Sequence, residues 1–237
     1  MRPRVRAFHL APLLLLASIG QSSHASADPF GWHHSPATQI TPDNVTRLQP
    51  AWTHRNGDMA ATDGAPSSVS AQSTPILLPP QAGGHLVYCT PFNRVIALDP
   101  QTGRERWTFD PAVRRTSERP YRCRGVAYAQ TAQVEATGAC RHRIYTVTGD
   151  RRLIALDARD GKRCTGFGAG GEVMLAEHER YGLEEVGSSS PPAVANGVVV
   201  VGSSVIDFAY AEAPRGIIAA YDAITGQPRW TFDPLQG

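Results

Sequence analysis

An all-β fold built from repeated four-stranded units is predicted by three observations. First, the phrase at residues 97–107, A-L-D-P-Q-T-G-R-E-R-W, returns at 220–230 as A-Y-D-A-I-T-G-Q-P-R-W, with a degenerate copy at 155–164, A-L-D-A-R-D-G-K-R-C. Second, a β-branched or aliphatic run precedes each copy. Third, the copies recur at intervals of about 60 residues, enough for four short strands. Such repeats are typical of a β-propeller, whose blades are four-stranded antiparallel sheets.

Each copy of the phrase predicts a β-hairpin. The shared aspartate ends one strand, and its carboxylate can accept hydrogen bonds from the turn backbone. The shared glycine supplies the positive φ that the turn requires. The aspartates are Asp99, Asp157 and Asp222, and the glycines are Gly103, Gly161 and Gly226. The returning strand runs to a tryptophan in two copies. Three unrelated hairpins that share the phrase by chance are the alternative, which the repeated apolar runs and aromatic residues disfavour.

The remaining elements follow from local signals along the chain. Thr41 and Pro42 predict the start of a short helix that ends near Leu48. The Asn196-Gly197 pair, between two runs of alanine and valine, predicts a tight hairpin. Strands are predicted at 51–54, 73–78, 85–90, 93–99, 106–110, 125–129, 143–148, 153–157, 192–202, 216–222 and 229–233, and loops at 56–71, 111–121 and 166–187.

The composition is that of an ordinary soluble protein. The chain has 237 residues, of which 41% are hydrophobic, and its formal net charge is +2. No stripe of lysine and arginine is present, so the sequence does not predict a nucleic-acid partner.

Residues 1–27 are predicted to be a signal peptide. Three arginines (Arg2, Arg4 and Arg6) precede a short apolar stretch at 10–19, and the A-S-A sequence at 25–27 fits a cleavage site. The apolar stretch is short for a membrane span, although an uncleaved anchor is the alternative. The mature chain, 28–237, is therefore expected in the bacterial periplasm.

The cysteines suggest disulfides in an exported chain. There are four, Cys89, Cys123, Cys140 and Cys164, which allow three pairings. The pairing favoured from the sequence is Cys123 with Cys140, because the two flank one strand-like stretch. Cys164 stands where the other repeats have tryptophan, so a buried packing role is the alternative for it. The spacings do not match a zinc site.

The mature part has room for three blades and part of a fourth. A propeller closes its ring with about 4 to 8 blades. We therefore expect the chain to be the N-terminal portion of a longer propeller; a small self-sufficient β domain is the alternative.

In this order, several motifs resemble the N-terminal part of the pyrroloquinoline quinone (PQQ)-dependent dehydrogenases, especially the membrane-type glucose, quinate and polyol branch. The motifs are I-T-P-D-N-V-T-R-L-Q-P-A-W-T (40–53), S-T-P-I (73–76), L-V-Y-C-T-P-F-N (86–93), C-R-G-V-A-Y (123–128), S-S-P-P (189–192) and G-S-S-V-I-D (202–207), together with the repeated phrase. The resemblance covers nearly all of the mature chain. It implies an eight-bladed propeller that carries PQQ and one calcium ion and oxidises a sugar or polyol. The electron acceptor would be ubiquinone or a cytochrome, and peripheral membrane association is left open.

The resemblance also implies roles for five residues. Arg124 matches an arginine that contacts PQQ, consistent with the bidentate binding of carboxylates by arginine. Ser189, Ser204 and Gln72 match further cofactor contacts, and Asp207 matches a calcium ligand that offers the hard oxygen donors calcium prefers. Surface or turn roles are the alternatives for these residues. The family's catalytic base is expected beyond Gly237, so none is assigned here.

Two departures from the family pattern affect these expectations. Pro120 occupies the position of a histidine that stacks on PQQ in the glucose branch. The signal peptide replaces the membrane helices of the glucose enzymes, which leaves the acceptor undetermined. The rival functions are a non-catalytic propeller scaffold of the cell envelope, which does not need the C-R-G segment, and a PQQ-dependent alcohol dehydrogenase.

Overall fold

The fold consists of β-sheets connected by turns. A computed structural model describes residues 37–58, 69–114, 121–131, 138–175, 186–188, 190–205 and 214–236. The strands are β1 (Val69–Ala71), β2 (Ile76–Leu77), β3 (Leu86–Cys89), β4 (Val95–Leu98), β5 (Glu105–Phe109), β6 (Tyr121–Cys123), β7 (Ala127–Gln130), β8 (His142–Val147), β9 (Arg152–Asp157), β10 (Glu172–Met174), β11 (Val186–Gly187), β12 (Ala193–Ala195), β13 (Val198–Gly202), β14 (Ser204–Val205), β15 (Ile218–Asp222) and β16 (Pro228–Phe232). The helical turns in these ranges are two short 3₁₀ segments, Val45–Arg47 and Pro80–Ala82.

Twelve of the strands form three antiparallel four-stranded sheets. The first sheet has the order β2-β3-β4-β5, the second β10-β9-β8-β7, and the third β12-β13-β15-β16. Within each sheet the strands are neighbours in their chain order, with β14 leaving the third sheet between β13 and β15, which is the up-and-down arrangement of a propeller blade. Two small sheets lie outside the blades: β1 pairs with β6 in parallel, and β11 pairs with β14 antiparallel. The all-β propeller architecture predicted from the repeats is confirmed.

The repeated phrase forms the predicted hairpin turns. Asp99 Oδ1 accepts hydrogen bonds from the N–H groups of Gln101 and Thr102, at 2.9 and 2.8 Å. Asp222 Oδ1 accepts the corresponding bonds from Ile224 and Thr225, also at 2.9 and 2.8 Å. The three turn glycines have φ values of 69°, 72° and 74°. A short aspartate side chain and a residue without Cβ therefore define this turn, as the sequence indicates.

A bulge distinguishes the complete copies from the degenerate one. In the first sheet Leu98 pairs with Glu105 and Ala97 with Trp107, so that Arg106 is the extra residue, and its guanidinium binds Asp99. Hydrogen bonds from Arg106 and the turn hold the pKa of Asp99 at about 2. Arg229 is the extra residue in the third sheet and binds Asp222 at 2.6 Å. Burial opposes ionisation of Asp222, but the Thr225 N–H and Arg229 outweigh it and lower the pKa to about 2.

The degenerate copy lacks this extra residue. Leu156 pairs with Arg163, and the next residue, Cys164, donates its N–H to the Ala155 carbonyl at 2.9 Å. Cys164 thus lies across from Ala155 as Trp107 lies across from Ala97. The sequence-based placement of Cys164 at the tryptophan position is confirmed.

Successive units are connected by tryptophan packing on the turn glycines. Trp107 donates its indole N–H to the Ala158 carbonyl at 3.3 Å, and a Cβ on Gly161 would lie 2.5 Å from its ring. Trp52 makes the same contacts with the first turn, donating to the Pro100 carbonyl at 3.1 Å and covering Gly103. Glycine is therefore required here both for its φ and for the close approach of the ring.

Replacing Gly161 by alanine tests this packing. We expect the variant to lose about 2 kcal/mol more unfolding free energy than Gly197→Ala, because an added Cβ overpacks the Trp107 ring. Gly197 is the matched control: its φ of 76° is similarly positive, yet a Cβ added there would have nothing within 4 Å. Chemical denaturation of both variants measures the difference. Equal losses of unfolding free energy would show that the Trp107 ring shifts to accommodate the added Cβ without destabilising the fold.

The core lies between the sheets. Alternate residues of the second sheet face opposite ways: Ile144 and Ile154 pack toward the first sheet, whereas Tyr145 and Leu153 pack toward the third. All four are fully buried. The second sheet is therefore covered on both faces, as expected for a blade with a neighbour on each side.

Three local expectations were wrong or incomplete. The predicted helix near Thr41 is only a turn followed by Val45–Arg47; the Asn44 side chain folds back to accept the Thr41 N–H at 2.8 Å and does not cap the segment that follows. Residues 51–54 are not a strand, since their contacts are made by the Trp52 and His54 side chains. The predicted loops are incomplete: 56–71 contains β1, and 166–187 contains β10 and β11, in their described parts.

Candidate cofactor site

Three of the four predicted cofactor residues precede, along the chain, the first strands of the sheets. Gln72 precedes β2, and Arg124 precedes β7. Ser189, which precedes β12, lies outside the described residues. The first strands β7 and β12 contact each other, so the connections converge at one edge of the blades.

Gln72 and Arg124 are brought into direct contact. The parallel pairing of β1 with β6 sets Ala71 opposite Cys123, and the following residues therefore lie side by side. Arg124 Nε donates to Gln72 Oε1 at 3.2 Å, and both side chains are exposed. The Arg124 carbonyl accepts the Thr74 N–H at 3.0 Å, which joins the two connections through their backbones as well.

Gly125 brings the third connection to the same place. A Cβ on Gly125 would meet Pro191 at 3.3 Å and the Thr74 carbonyl oxygen at 3.6 Å. The absence of a side chain at Gly125 lets the S-S-P-P connection pack directly against the residue that follows Arg124. A larger residue would push these segments apart.

Ser204 lies on the small sheet that continues from this connection. It belongs to β14 and pairs with Gly187, two residues before Ser189. The Ser204 side chain is exposed, whereas the neighbouring Ser188 is buried and donates its hydroxyl to the Gly202 carbonyl at 2.9 Å. The structure thus places Ser204 beside the connection that carries Ser189, without showing a contact to Arg124.

A recess opens beside the same small sheet, between the second and third sheets. Its walls are mainly apolar, including Leu175, Val201 and Tyr221, and Ser188 and Ser203 also line it. Both hydroxyls are engaged: the Ser203 hydroxyl donates to the Ile217 carbonyl at 2.9 Å and accepts the Ile217 N–H at 2.7 Å. The recess therefore offers apolar surface more than hydrogen-bonding groups.

The disulfides differ from the favoured pairing. Cys89 is bonded to Cys123, and Cys140 to Cys164, so the prediction of Cys123 with Cys140 was wrong. The reason is that β7 runs between the two cysteines and carries the chain away from Cys123. Cys123 instead meets the end of β3, and Cys140 meets the residue that replaces the repeat tryptophan.

The Cys89–Cys123 disulfide is the part of the site that sequence reasoning missed. It joins β3 to β6 directly before Arg124, and both cysteines are buried. Ser73, the neighbour of Gln72, accepts the Cys89 N–H at 3.1 Å through its hydroxyl. The adjacency of Cys123 and Arg124 in C-R-G was the available signal, but the partner cysteine could not be chosen without the fold.

The metal prediction has no structural counterpart in the described ranges. Asp207 lies outside them, as does Pro120. Within the part of the chain that the structure describes, no group of three or more histidine, cysteine, aspartate or glutamate side chains could hold a metal ion. The role of Asp207 stays a prediction.

The polar groups at this edge of the blades suit a ligand that carries a carboxylate. Arg124 offers a guanidinium that can bind a carboxylate in a bidentate way, Gln72 offers an amide, and Ser204 offers an exposed hydroxyl. The close approach at Gly125 provides a compact backbone support for them. PQQ, a quinone with three carboxylates, fits this donor set.

Comparison with known proteins agrees with the fold. The family model for the PQQ glucose/ethanol/alcohol dehydrogenase β-propeller domain matches residues 23–237. The quinate/shikimate dehydrogenase (quinone) of Acinetobacter baylyi is 36% identical over 228 residues, covering 89% of this chain and 27% of that protein. The quinoprotein glucose dehydrogenase of Escherichia coli is 35% identical over 212 residues, covering 86% and 26%.

Solved structures show the same architecture. The quinohemoprotein alcohol dehydrogenase ADHIIG of Pseudomonas putida HK5 matches with a TM-score of 0.54 and 30% identity, covering 70% of this chain and 21% of that one. A europium-containing methanol dehydrogenase matches with a TM-score of 0.58 at 23% identity, covering 83% and 29%, which shows the fold.

The fold and the comparisons together define a class of protein: the chain is a series of blades from a quinoprotein β-propeller. It belongs to the PQQ-dependent dehydrogenase family. The chain spans about a quarter of the length of the curated relatives it matches, from 26% to 27% for those named.

Proposed function

We propose that this chain is part of a PQQ- and calcium-dependent dehydrogenase that oxidises a sugar or polyol. The observation that carries the proposal is the contact between Gln72 and Arg124 where the blade connections converge. Relatives in the family include glucose and glycerol dehydrogenases, with 37% identity to the glycerol dehydrogenase large subunit of Gluconobacter oxydans. These names support a polyhydroxylated substrate.

The proposed roles of the residues follow from their donors. Arg124 would hold a carboxylate of PQQ through its guanidinium, with Gln72 orienting that guanidinium and offering its amide. Ser189 and Ser204 would donate hydroxyl hydrogen bonds to the same ligand, and Asp207 would bind calcium. When bound, PQQ supplies the redox chemistry, taking up the electrons that the substrate alcohol loses, and the protein positions it.

The compartment and the electron acceptor belong to the same proposal. Residues 1–27 support export to the periplasm, where a respiratory quinone or a cytochrome could accept the electrons. The structure describes no helix, within its stated ranges, with the length and hydropathy needed to cross a membrane.

A second candidate is oxidation of simple alcohols. It is favoured by the 30% identity and TM-score of 0.54 with a quinohemoprotein alcohol dehydrogenase. A 1-butanol dehydrogenase (cytochrome c) of Thauera butanivorans is also 30% identical over 199 residues. Quinate is a further candidate substrate, given the 36% identity with a quinate/shikimate dehydrogenase.

The test is a reconstitution assay with the full-length protein, freed of PQQ and divalent cations. We expect reduction of an artificial dye by glucose or glycerol only after both PQQ and Ca²⁺ are added, with slower reduction from quinate or 1-butanol. A preference for 1-butanol would replace the sugar proposal by the alcohol one. Dye reduction that does not respond to PQQ and Ca²⁺ would refute the cofactor assignment, and binding of PQQ without activity toward any substrate would favour a non-catalytic propeller.

A further inference from the structure

The backbone around Arg124 is fixed on every side that the structure describes. On its N-terminal side, Cys123 is tied to Cys89 by the disulfide. On its C-terminal side, Gly125 packs against Pro191 and the Thr74 carbonyl. The Arg124 carbonyl itself accepts the Thr74 N–H.

The segment that carries the partner of Arg124 is held at the disulfide-bonded Cys89. The Ser73 hydroxyl accepts the Cys89 N–H, and its oxygen lies 3.4 Å from Cys89 Sγ. Ser73 is next to Gln72, whose Oε1 accepts the bond from Arg124 Nε. The Cys89–Cys123 disulfide therefore joins two segments: β3, whose Cys89 N–H binds the segment of Gln72, and β6, which leads directly into Arg124.

The burial pattern separates the support from the exposed groups. Cys89 and Cys123 are 2% and 4% exposed, whereas Arg124 and Gln72 are exposed at the surface. A rigid buried support beneath exposed polar side chains reduces the entropy lost when those side chains bind a ligand.

We propose that the Cys89–Cys123 disulfide is a positioning element for cofactor binding, which holds Arg124 and Gln72 ready for a carboxylate of PQQ. The inference rests on the proposed function, because it takes PQQ as the ligand of Arg124. It assigns the disulfide a role in affinity that is separate from its role in stability.

The Cys140–Cys164 disulfide provides a matched control. It is also buried and closes a comparable stretch of chain, with a sequence separation of 24 against 34. It lies on the second sheet and is not bonded to a residue next to Arg124. Removing it should affect stability while leaving the affinity for PQQ unchanged.

The experiment measures PQQ binding to the full-length apoprotein by quenching of intrinsic fluorescence, at a temperature where every variant is folded. We expect Cys89→Ala/Cys123→Ala to raise the Kd for PQQ about tenfold, through the loss of preorganisation. Cys140→Ala/Cys164→Ala should stay within about twofold of the parent. Cys89→Ser/Cys123→Ser removes the same bond with a smaller change in volume, should weaken binding to a similar extent, and serves if the first pair does not fold.

A double-mutant cycle tests whether the disulfide acts on PQQ binding through Arg124. Arg124→Met should weaken PQQ binding at least as much as loss of the disulfide, and removing the disulfide in that background should add little. Unchanged affinity in Arg124→Met would refute the cofactor role of Arg124, and with it the assignment on which the inference rests. Weakened binding in Arg124→Met, combined with an effect of the disulfide that is absent or fully additive, would overturn the positioning role alone.

Discussion

Replacing Arg143 by methionine should lower the free energy of unfolding by about 4 kcal/mol, because it leaves buried carbonyl groups without their charged donor. Arg143 is only 6% exposed. Its Nε donates to the Cys140 carbonyl at 2.8 Å, and its Nη1 donates to the carbonyls of Ala223 and Ile224 at 3.0 and 2.7 Å. Ala223 and Ile224 belong to the third repeat turn, so one side chain connects the second sheet to the third.

Tyr145 supports the same junction. Its hydroxyl donates to the Ala223 carbonyl, and burial raises its pKa to about 12. The phenol therefore stays protonated and can keep donating at any pH at which the protein is handled. After Arg143→Met the Ala223 carbonyl keeps the Tyr145 hydroxyl, and the Cys140 carbonyl keeps the Thr131 hydroxyl at 3.2 Å. The loss therefore arises from the Ile224 carbonyl and from the charged donor that all three carbonyls share.

Urea denaturation of the full-length protein, followed by fluorescence, measures the effect of Arg143→Met. Arg141→Met is the control: Arg141 is exposed, and its replacement should change stability by no more than about 0.5 kcal/mol. Arg143→Lys should fall between the two, since an ammonium group retains the charge but not the planar fork that reaches several carbonyls. Similar losses in the Arg143 and Arg141 variants would contradict the proposed junction.

The repeat turns could be predicted because their causes are local. In the third repeat, the Asp222 carboxylate that accepts the turn N–H groups and the positive φ of Gly226 lie within one turn. These hydrogen bonds join residues only two or three positions apart. The Asn196-Gly197 hairpin was predicted for the same reason, and both residues have positive φ, at 48° and 76°. Interactions between residues so close in the chain can be predicted from the sequence alone.

The contacts between units could not be predicted because they join distant residues. Arg143 meets Ala223 across 80 residues, and Trp52 meets Pro100 across 48. The sequence around Trp52 looks like a strand, and only its position in space shows that it packs on a turn. The bulge that makes room for Arg106 depends on pairing between strands, which the repeat alignment alone does not show.

In the candidate site, as in the fold, contacts between residues distant in the chain could not be predicted. Resemblance to a family predicts cofactor roles for Gln72 and Arg124, which stay predictions; their contact across 52 residues could not be foreseen from the sequence. The disulfide behind them was mispaired in the prediction because an even count of cysteines leaves the connectivity open. Which cysteine Cys123 joins depends on where β3 ends, and that position follows from the packing of the first two units.

Removal of the Cys140–Cys164 disulfide is expected to cost about 3.5 kcal/mol of unfolding free energy, from the chain entropy of the loop that it closes. The degenerate repeat explains why a cross-link is useful at this point. It has no tryptophan to pack on the next turn glycine, and Gly226 is instead approached by Val173 and Phe167. Cys164 occupies the tryptophan position and makes a covalent bond there.

The measurement compares Cys140→Ala/Cys164→Ala with its parent in urea, with and without a phosphine reductant. A variant that already lacks the Cys89–Cys123 disulfide isolates the contribution of Cys140–Cys164. In Cys89→Ala/Cys123→Ala, the reductant should lower stability by about the same 3.5 kcal/mol. In the variant lacking all four cysteines, the reductant should have no effect. Stability that is unchanged by both the mutation and the reductant would mean that the degenerate repeat is held by packing around Phe167 alone, and that the cross-link does not compensate for the missing tryptophan.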